Sequence, residues 1–146
     1  MSSLIFPGIH TVSPPDSLAA GAATTQLGTI GDSVGVLFGA AAGNQIYTDT
    51  AYEALFRETR LMTSEWQFKM AAVQPTRGVY DFYHADTFLN YATSRGRKVK
   101  AHCGFWQAFN PDWMTGLSTS DLQYIFDLHI DTVIPRYAGK VYAWDV

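Results

Sequence analysis

The stretch KVKAHCGFWQ (Lys98–Gln107) changes from a strand-like pattern to a group of polar and aromatic residues, and this change decides the fold. Its first half has the pattern of a short strand, whereas its second half collects polar and aromatic side chains. The same change occurs at Thr63–Trp66 and again at Trp144 and Asp145. In parallel α/β proteins the carboxyl ends of the strands carry the functional residues, so these segments predict the rim of one site.

Strands and helices are predicted to alternate on both sides of this stretch. Apolar and β-branched runs predict four strands, within residues 34–40, 60–66, 98–106 and 139–146. Amphipathic segments predict three helices between them, within residues 48–60, 84–96 and 118–135. The order β-α-β-α-β-α-β predicts parallel strands joined by right-handed crossovers, in either an open sheet or a barrel.

Local patterns predict where these helices begin, pack and end. Thr50 and Glu53 have the spacing of a capping box at the start of the first helix. In the second helix an apolar face precedes Gly96, which is predicted to stop it. The third helix is predicted to end at Pro135 and to bury one stripe, made of Leu122, Ile125, Phe126, Ile130 and Val133.

Composition places the chain among globular proteins and excludes several classes of partner. It has 146 residues, 47% of them hydrophobic and 16% charged, which is enough for one packed domain. The net charge of −3 argues against a nucleic-acid binder, and no apolar run is long enough to cross a membrane. The single cysteine, Cys103, excludes an internal disulfide and a cysteine-based zinc cluster. We therefore expect no nucleic acid, membrane, metal or cofactor partner.

Four segments together resemble the family 10 glycoside hydrolases, chiefly endo-β-1,4-xylanases. They are TSEWQFK, QPTRGVYDFYHAD, KAHCGFWQAFNPDW and YAGKVYAWDV, and they span about Gly39 to Val146. The corresponding family patterns are roughly T-x-E-N-x-x-K, P-x-x-G-x-Y-D-F-x-x-A-D, G-H-x-L-x-W-H-x-Q-x-P-x-W and W-D-V-x-N-E. The resemblance implies a partial (β/α)8 TIM barrel, of which residues 33–146 would form the N-terminal half, with about four parallel strands and three helices. The composition of residues 1–32, rich in Pro, Gly, Ala, Ser and Thr, predicts a loosely structured lead-in with a short helix near residues 18–23.

The resemblance also implies a reaction, the retaining hydrolysis of a β-linked polysaccharide such as xylan. Retaining glycosidases need two carboxyl groups about 5–5.5 Å apart, one as acid/base and one as nucleophile. In the family the acid/base glutamate follows W-D-V-x-N, so both catalytic carboxylates would lie beyond Val146. We therefore assign no catalytic residue, expect this chain alone to be inactive, and leave open whether it counts as an enzyme.

The substrate-binding residues implied by the resemblance occupy the glycone side of the site. Glu65 and Lys69 match positions that hydrogen-bond sugar hydroxyls, and charge strengthens such bonds. His102 and Trp106 match the family's histidine and tryptophan of the third strand, and Gln107 follows them. Supporting roles are assigned to Trp66, Trp144 and Asp145. Trp66 and Gln107 stand where the family pattern has asparagine and histidine, so the preferred β-glycan stays open.

Two other functions compete with this interpretation. A non-catalytic carbohydrate-binding module would use the same strand ends without cleaving its ligand. A nucleotide-binding sheet is disfavoured, because GAAAGNQ after the first strand lacks a phosphate-loop pattern.

Four parallel strands also leave two open edges, which predicts pairing with the missing C-terminal half of the barrel or self-association. The resemblance suggests an extracellular protein, although no signal peptide is visible.

Overall fold

The computed structural model of the protein describes residues 27–146. Four strands lie at Gly39–Ala42 (β1), Leu61–Ser64 (β2), Lys98–His102 (β3) and Ala143–Asp145 (β4). Five helices lie at Leu27–Ser33 (α1), Thr50–Leu55 (α2), Met70–Val73 (α3), Tyr83–Thr93 (α4) and Thr119–Arg136 (α5). Short 3₁₀ turns occur at Asn44–Tyr47, Phe56–Glu58 and Asp112–Met114.

The four strands form one parallel sheet in the order β1-β2-β3-β4, which is also their order along the chain. Ser64 lies opposite Ala42 at one end of the sheet, and His102 lies opposite Asp145 at the same end. The predicted α/β class and the four parallel strands are confirmed. Because all strands point the same way, the residues that follow them gather at one rim.

The first strand begins later than predicted, because residues 34–38 form the turn and loop that follow α1. The amide of Val36 donates to the carbonyl of Gly31 at 2.8 Å, and Gly35 has φ +73°. This left-handed glycine closes the helix in a Schellman-type cap, so Val34 and Val36 are exposed in a turn instead of buried in a strand. Helix α1 also covers residues assigned to the lead-in. The short helix expected near residues 18–23 lies outside the described residues, and the domain boundary stays a prediction.

The capping box predicted for α2 is wrong. Asp49 is the N-cap instead, and its carboxylate accepts from the amides of Ala51 at 2.9 Å and Tyr52 at 3.0 Å. Glu53 does not reach back to the cap, because its carboxylate lies 3.5–3.8 Å from the guanidinium groups of Arg57, Arg95 and Arg97. The Glu53 carboxylate therefore forms ion pairs with arginines instead of completing a capping box.

Helix α5 buries a narrower stripe than predicted. Ile125, His129 and Val133 are buried at four-residue spacing, whereas Ile130 is 42% exposed and its assignment to the stripe is wrong. A histidine thus occupies the central position of the buried face. Pro135 lies inside the helix, which continues to Arg136 before it ends.

The core is formed by buried side chains of the sheet and of the helices that pack against it. The predicted apolar face of α4 is confirmed, with Phe88, Leu89 and Ala92 buried. Gly96 has φ +69° just after this helix, as its predicted role requires. Short helix α3, which was not predicted, adds buried Val73. The core also includes Met62, Phe68, Val99, Ala101 and Tyr137. None of the helices in residues 27–146 combines the length and hydropathy of a bilayer span.

Candidate functional site

At the rim of the sheet, hydrogen bonds between a side chain of β2 and the backbone of β3 join the ends of these two strands. The Ser64 hydroxyl accepts from the His102 amide and donates to the His102 carbonyl, both at 3.1 Å. Ser64 is fully buried, so this double contact is shielded from water. It fixes the position of His102 relative to β2.

The imidazole of His102 is oriented by the end of β4. Its Nδ1–H donates to Oδ2 of Asp145 at 2.8 Å, and Nζ of Lys100 lies 3.8 Å from the same oxygen. The hydrogen bond from His102 is the main reason that the pKa of Asp145 lies below its usual value. An ionised carboxylate only accepts, so the ring proton lies on Nδ1 and a neutral imidazole presents Nε2 as an acceptor.

A cation held between two aromatic rings lies beside this histidine. Nζ of Lys69 lies 4.4 Å from the centroid of the Trp106 ring and 4.9 Å from that of Phe109. The Lys69 side chain is largely buried, whereas Trp106 remains 41% exposed. The His102 and Trp106 rings are 6.0 Å apart. The structure therefore brings three predicted site residues into one cluster, Lys69, His102 and Trp106, which presents an exposed indole, a cation and an imidazole.

Glu65 lies at the same rim but points toward the loop after β1. A Cβ placed on Gly43 would lie 2.6 Å from Oε2 of Glu65, so the carboxylate end of this flexible side chain lies close to the Gly43 backbone. Glu65 lines a cavity there together with Asn44, Trp66 and His84. This carboxylate therefore flanks the cluster of Lys69, His102 and Trp106 instead of belonging to it.

The remaining predicted residues occupy three different environments. Gln107 is exposed and lines a cavity of about 580 Å³ beside Trp106. Trp144 packs inward, with its ring 5.7 Å from Phe68 and 6.1 Å from Tyr137. Trp66 is half-buried beside the cavity next to Glu65. Gln107 therefore stands beside the exposed indole, whereas Trp144 contacts the core.

The loop that carries Trp106 is anchored by a buried polar network. The indole Nε1 of Trp113 donates to the Gln74 carbonyl at 3.1 Å, and Nδ1 of His129 lies 3.3 Å from the Gln74 side-chain oxygen. Burial lowers the pKa of His129 to about 4, so the ring is neutral in the fold at neutral pH. Among residues 27–146, no group forms a hydrogen bond with the buried Nε2 of His129. The network ties the loop to α5 through uncharged groups.

Sequence reasoning missed several residues that shape the rim. Ser64 was treated only as part of a strand end, although its inward position in an alternating strand was visible in the pattern. Phe109 and His84 were not assigned to the site. The segment AFNPDW, rich in aromatic residues and lying close behind a strand end, was the pattern that could have indicated Phe109. In the described part of the chain, no three His, Cys, Asp or Glu side chains cluster as metal ligands.

Comparison with known proteins identifies one family. The family model described as glycosyl hydrolase family 10 matches residues 27–146. The endo-1,4-beta-xylanase A of Phanerodontia chrysosporium is 32% identical over 133 residues, which cover 87% of this chain and 33% of that protein. An endo-1,4-beta-xylanase of Agaricus bisporus is 32% identical over 127 residues, covering 83% of this chain and 38% of the relative. The chain thus spans about a third of the length of the curated relatives it matches.

Solved structures give the same match at the level of the fold. Xylanase 10B from Thermotoga maritima aligns with a TM-score of 0.76 and 26% identity, over 84% of this chain and 40% of that one. Xylanase 10B from Thermotoga petrophila, solved in complex with xylobiose, aligns with a TM-score of 0.73 and 26% identity, over 84% and 39%. The four parallel strands therefore correspond to a part of each of these larger chains.

Proposed function

The chain belongs to glycosyl hydrolase family 10, and on this basis we propose that it forms the N-terminal portion of a barrel that binds β-1,4-linked xylo-oligosaccharides. The observation that supports the proposal is the cluster of Lys69, His102 and Trp106 at the carboxyl rim of the sheet. Its exposed indole can contact the apolar face of a sugar ring, while the ammonium and the imidazole reach hydroxyl groups. The relative solved with xylobiose supports a xylose-containing ligand.

Each predicted binding residue has a distinct role in this proposal. Lys69 donates to hydroxyl oxygens, and its cation is already positioned between two rings. When its ring is neutral, His102 accepts through Nε2, because the Nδ1 proton is donated to Asp145. Glu65 accepts from hydroxyls on the β1 side of the rim, and Gln107 lies beside the exposed Trp106. An extracellular location is proposed from the family alone.

We also propose that the two carboxylates of the retaining reaction are not among residues 27–146. The carboxylates at the strand ends of this rim are Glu65 and Asp145. The pKa of Asp145 is lowered by its bond to His102, which makes it a poor general acid near neutral pH. Glu65 matches a sugar-binding position of the family. The chain alone is therefore expected to bind oligosaccharide without hydrolysing it, as a carbohydrate-binding module would.

Calorimetry with xylohexaose, combined with a reducing-sugar assay on xylan, tests the proposal. We expect saturable binding that Trp106→Ala weakens, and no release of reducing ends. A matched variant, Tyr124→Ala, removes an aromatic ring of α5 that is likewise exposed, and it is expected to retain affinity. Hydrolysis by the purified chain would contradict the assignment of the catalytic carboxylates. The absence of any binding to xylo-oligosaccharides would contradict the binding function itself.

A further inference from the structure

We propose that the end of the sheet opposite the rim carries a binding site for an anionic sugar of the uronic acid class, whose carboxylate pairs with Arg97, Lys98 and Lys140. A cavity of about 390 Å³ lies there, where α4 and α5 end and β3 and β4 begin. This volume lies within the range of about 300–1,000 Å³ that is usual for ligand pockets. The site is separate from the proposed xylo-oligosaccharide site, because Lys98 begins β3 whereas His102 ends it.

The charged side chains that line this cavity are all cations. They are Arg97, Lys98 and Lys140, and none of the carboxylates in the described part of the chain lines the cavity. Within residues 27–146, Lys98 and Lys140 take part in no ion pair. An anion that enters the cavity therefore meets two ammonium groups whose charge is not balanced by a carboxylate of that part of the chain.

The third cation, Arg97, is buried and only partly balanced. Its side chain is 6% exposed, and its Nη2 lies 3.5 Å from Oε1 of Glu53. The same carboxylate lies 3.7 Å from Nε of Arg57 and 3.8 Å from Nε of Arg95. One negative charge is therefore shared among three guanidinium groups. Because a buried charge requires a counter-charge, a carboxylate in the cavity would stabilise Arg97.

The helices that end beside the cavity offset only part of this positive charge. The carboxyl-terminal end of a helix carries a partial negative charge of about half an elementary charge. Because α4 and α5 both end here, they contribute about one negative charge together. The charges of Lys98 and Lys140 alone exceed that contribution. The cavity therefore remains electropositive, although the whole chain has a net charge of −3.

An exposed aromatic ring beside the cations favours a sugar over an inorganic anion. Tyr142 is 56% exposed, lines the same cavity, and has its ring centroid 4.2 Å from Nζ of Lys98. A uronic acid ring has an apolar face that can pack on the phenol ring and a carboxylate that can pair with the cations. The negative net charge of the chain disfavours a nucleic acid, whose phosphates would extend far beyond one cavity.

Calorimetry with tetragalacturonate at low ionic strength tests this inference. We expect saturable binding that added salt weakens and that Lys140→Glu reduces by about tenfold or more. Lys140→Gln, which removes the charge without reversing it, should give a smaller loss. Arg77→Glu is the matched control, because it makes the same charge change at an exposed residue between α3 and α4. Tyr142→Ser should weaken tetragalacturonate binding and leave the affinity for inorganic phosphate unchanged.

Each outcome supports or overturns a separate statement. Equal losses in Lys140→Glu and Arg77→Glu would assign binding to the charge of the whole chain, and the site would be wrong. If inorganic phosphate binds as tightly as tetragalacturonate and Tyr142→Ser changes neither affinity, the preference for a sugar is wrong. The absence of tetragalacturonate binding by the wild type would overturn the inference outright.

A neutral ligand keeps this test apart from the test of the proposed function. Xylohexaose should bind to Lys140→Glu and to the wild type with equal affinity, because Lys140 lies at the opposite end of the sheet from Trp106. A parallel loss of xylohexaose affinity in Lys140→Glu would overturn the separation of the two sites. Circular dichroism of each variant distinguishes a lost contact from lost folding.

Discussion

At the scale of single residues, Lys69 contacts two aromatic side chains at the rim. It follows β2 by five positions, yet its ammonium lies between two rings of the loop after β3. Each ring contact is an electrostatic attraction between the cation and the negative face of the aromatic ring. The residue therefore couples the ends of two neighbouring strands as well as offering donors to a ligand.

Replacing Lys69 with methionine should reduce oligosaccharide affinity about tenfold or more, because a hydrogen bond from a charged group is lost while the stem is kept. Calorimetry with xylohexaose measures the change. Lys98→Met is a matched control, since Nζ of Lys98 also lies 4.2 Å from an aromatic centroid, that of Tyr142, but at the opposite end of β3. Equal losses in the two variants would show that Lys69 has no special role at the rim.

Because of His129, the free energy of unfolding of the protein should depend on pH. Its pKa is about 4 in the fold and 6.5 in the unfolded reference, so the unfolded state takes up a proton first. The free energy of unfolding should therefore fall as the pH drops from about 6.5 to about 4, by up to about 3 kcal/mol. Above pH 6.5 the stabilisation is fully present.

Urea denaturation across this pH range measures that dependence, and His129→Gln should flatten it. The groups that face the ring are Gln74, Tyr80 and Phe105, none of which ionises in this range. His84→Gln serves as the control, because it removes an exposed histidine and should leave the slope unchanged. A steep slope that persists in His129→Gln would assign the effect to another group.

The sequence predicted which residues reach the rim more reliably than it predicted where their side chains point. His102 and Trp106 follow the end of a strand, and their proximity to Lys69 follows from strand order. The direction of Glu65 could not be predicted, because its carboxylate points toward Gly43, which lies in the loop after another strand. The pairing of Trp66 with His84 likewise depends on the packing of α4 against that loop.

At the scale of elements, the errors occurred where an apolar run had no clear period. Residues 34–40 were interpreted as a strand, because short apolar runs in strands and helix ends resemble each other in sequence. Gly35 was the deciding residue, since its positive φ ends α1 and places Val36 in a turn. In α5 the face was predicted correctly at Ile125 and Val133, but the buried position between them is His129.

The start of α5 is predicted to depend on one hydroxyl group. Ser118 is the N-cap, and its Oγ accepts from the Asp121 amide at 3.1 Å. Ser118→Ala should lower the free energy of unfolding by about 1 kcal/mol, since it leaves that amide without its partner. Thermal or urea denaturation measures the loss. Thr119→Ala, which removes an exposed hydroxyl from the same turn, should change stability far less.

At the scale of the whole molecule, the sheet has two edges that lack a strand partner among residues 27–146, those of β1 and β4. Unpaired amides and carbonyls along such edges favour pairing with other strands. We propose that these edges pair with the strands that complete the barrel, or with another copy of the chain in their absence.

Self-association at the β4 edge can be tested by sedimentation at increasing concentration. Val146 follows β4 and is 81% exposed, so Val146→Lys places a charge beside that edge and should shift the chain toward monomer. Leu55→Lys alters another largely exposed apolar residue, which lies on α2, and serves as the control. A monomeric wild type at all concentrations would rule out association through the edge.

The strand order β1-β2-β3-β4 has a consequence for biosynthesis. Each strand pairs with the one that precedes it in the chain, so every new ladder of hydrogen bonds closes on a segment that has already left the ribosome. The helix between two strands forms from local contacts and can dock before the next strand is translated. Assembly by successive addition of βα units to a growing nascent chain is therefore compatible with this topology at every step.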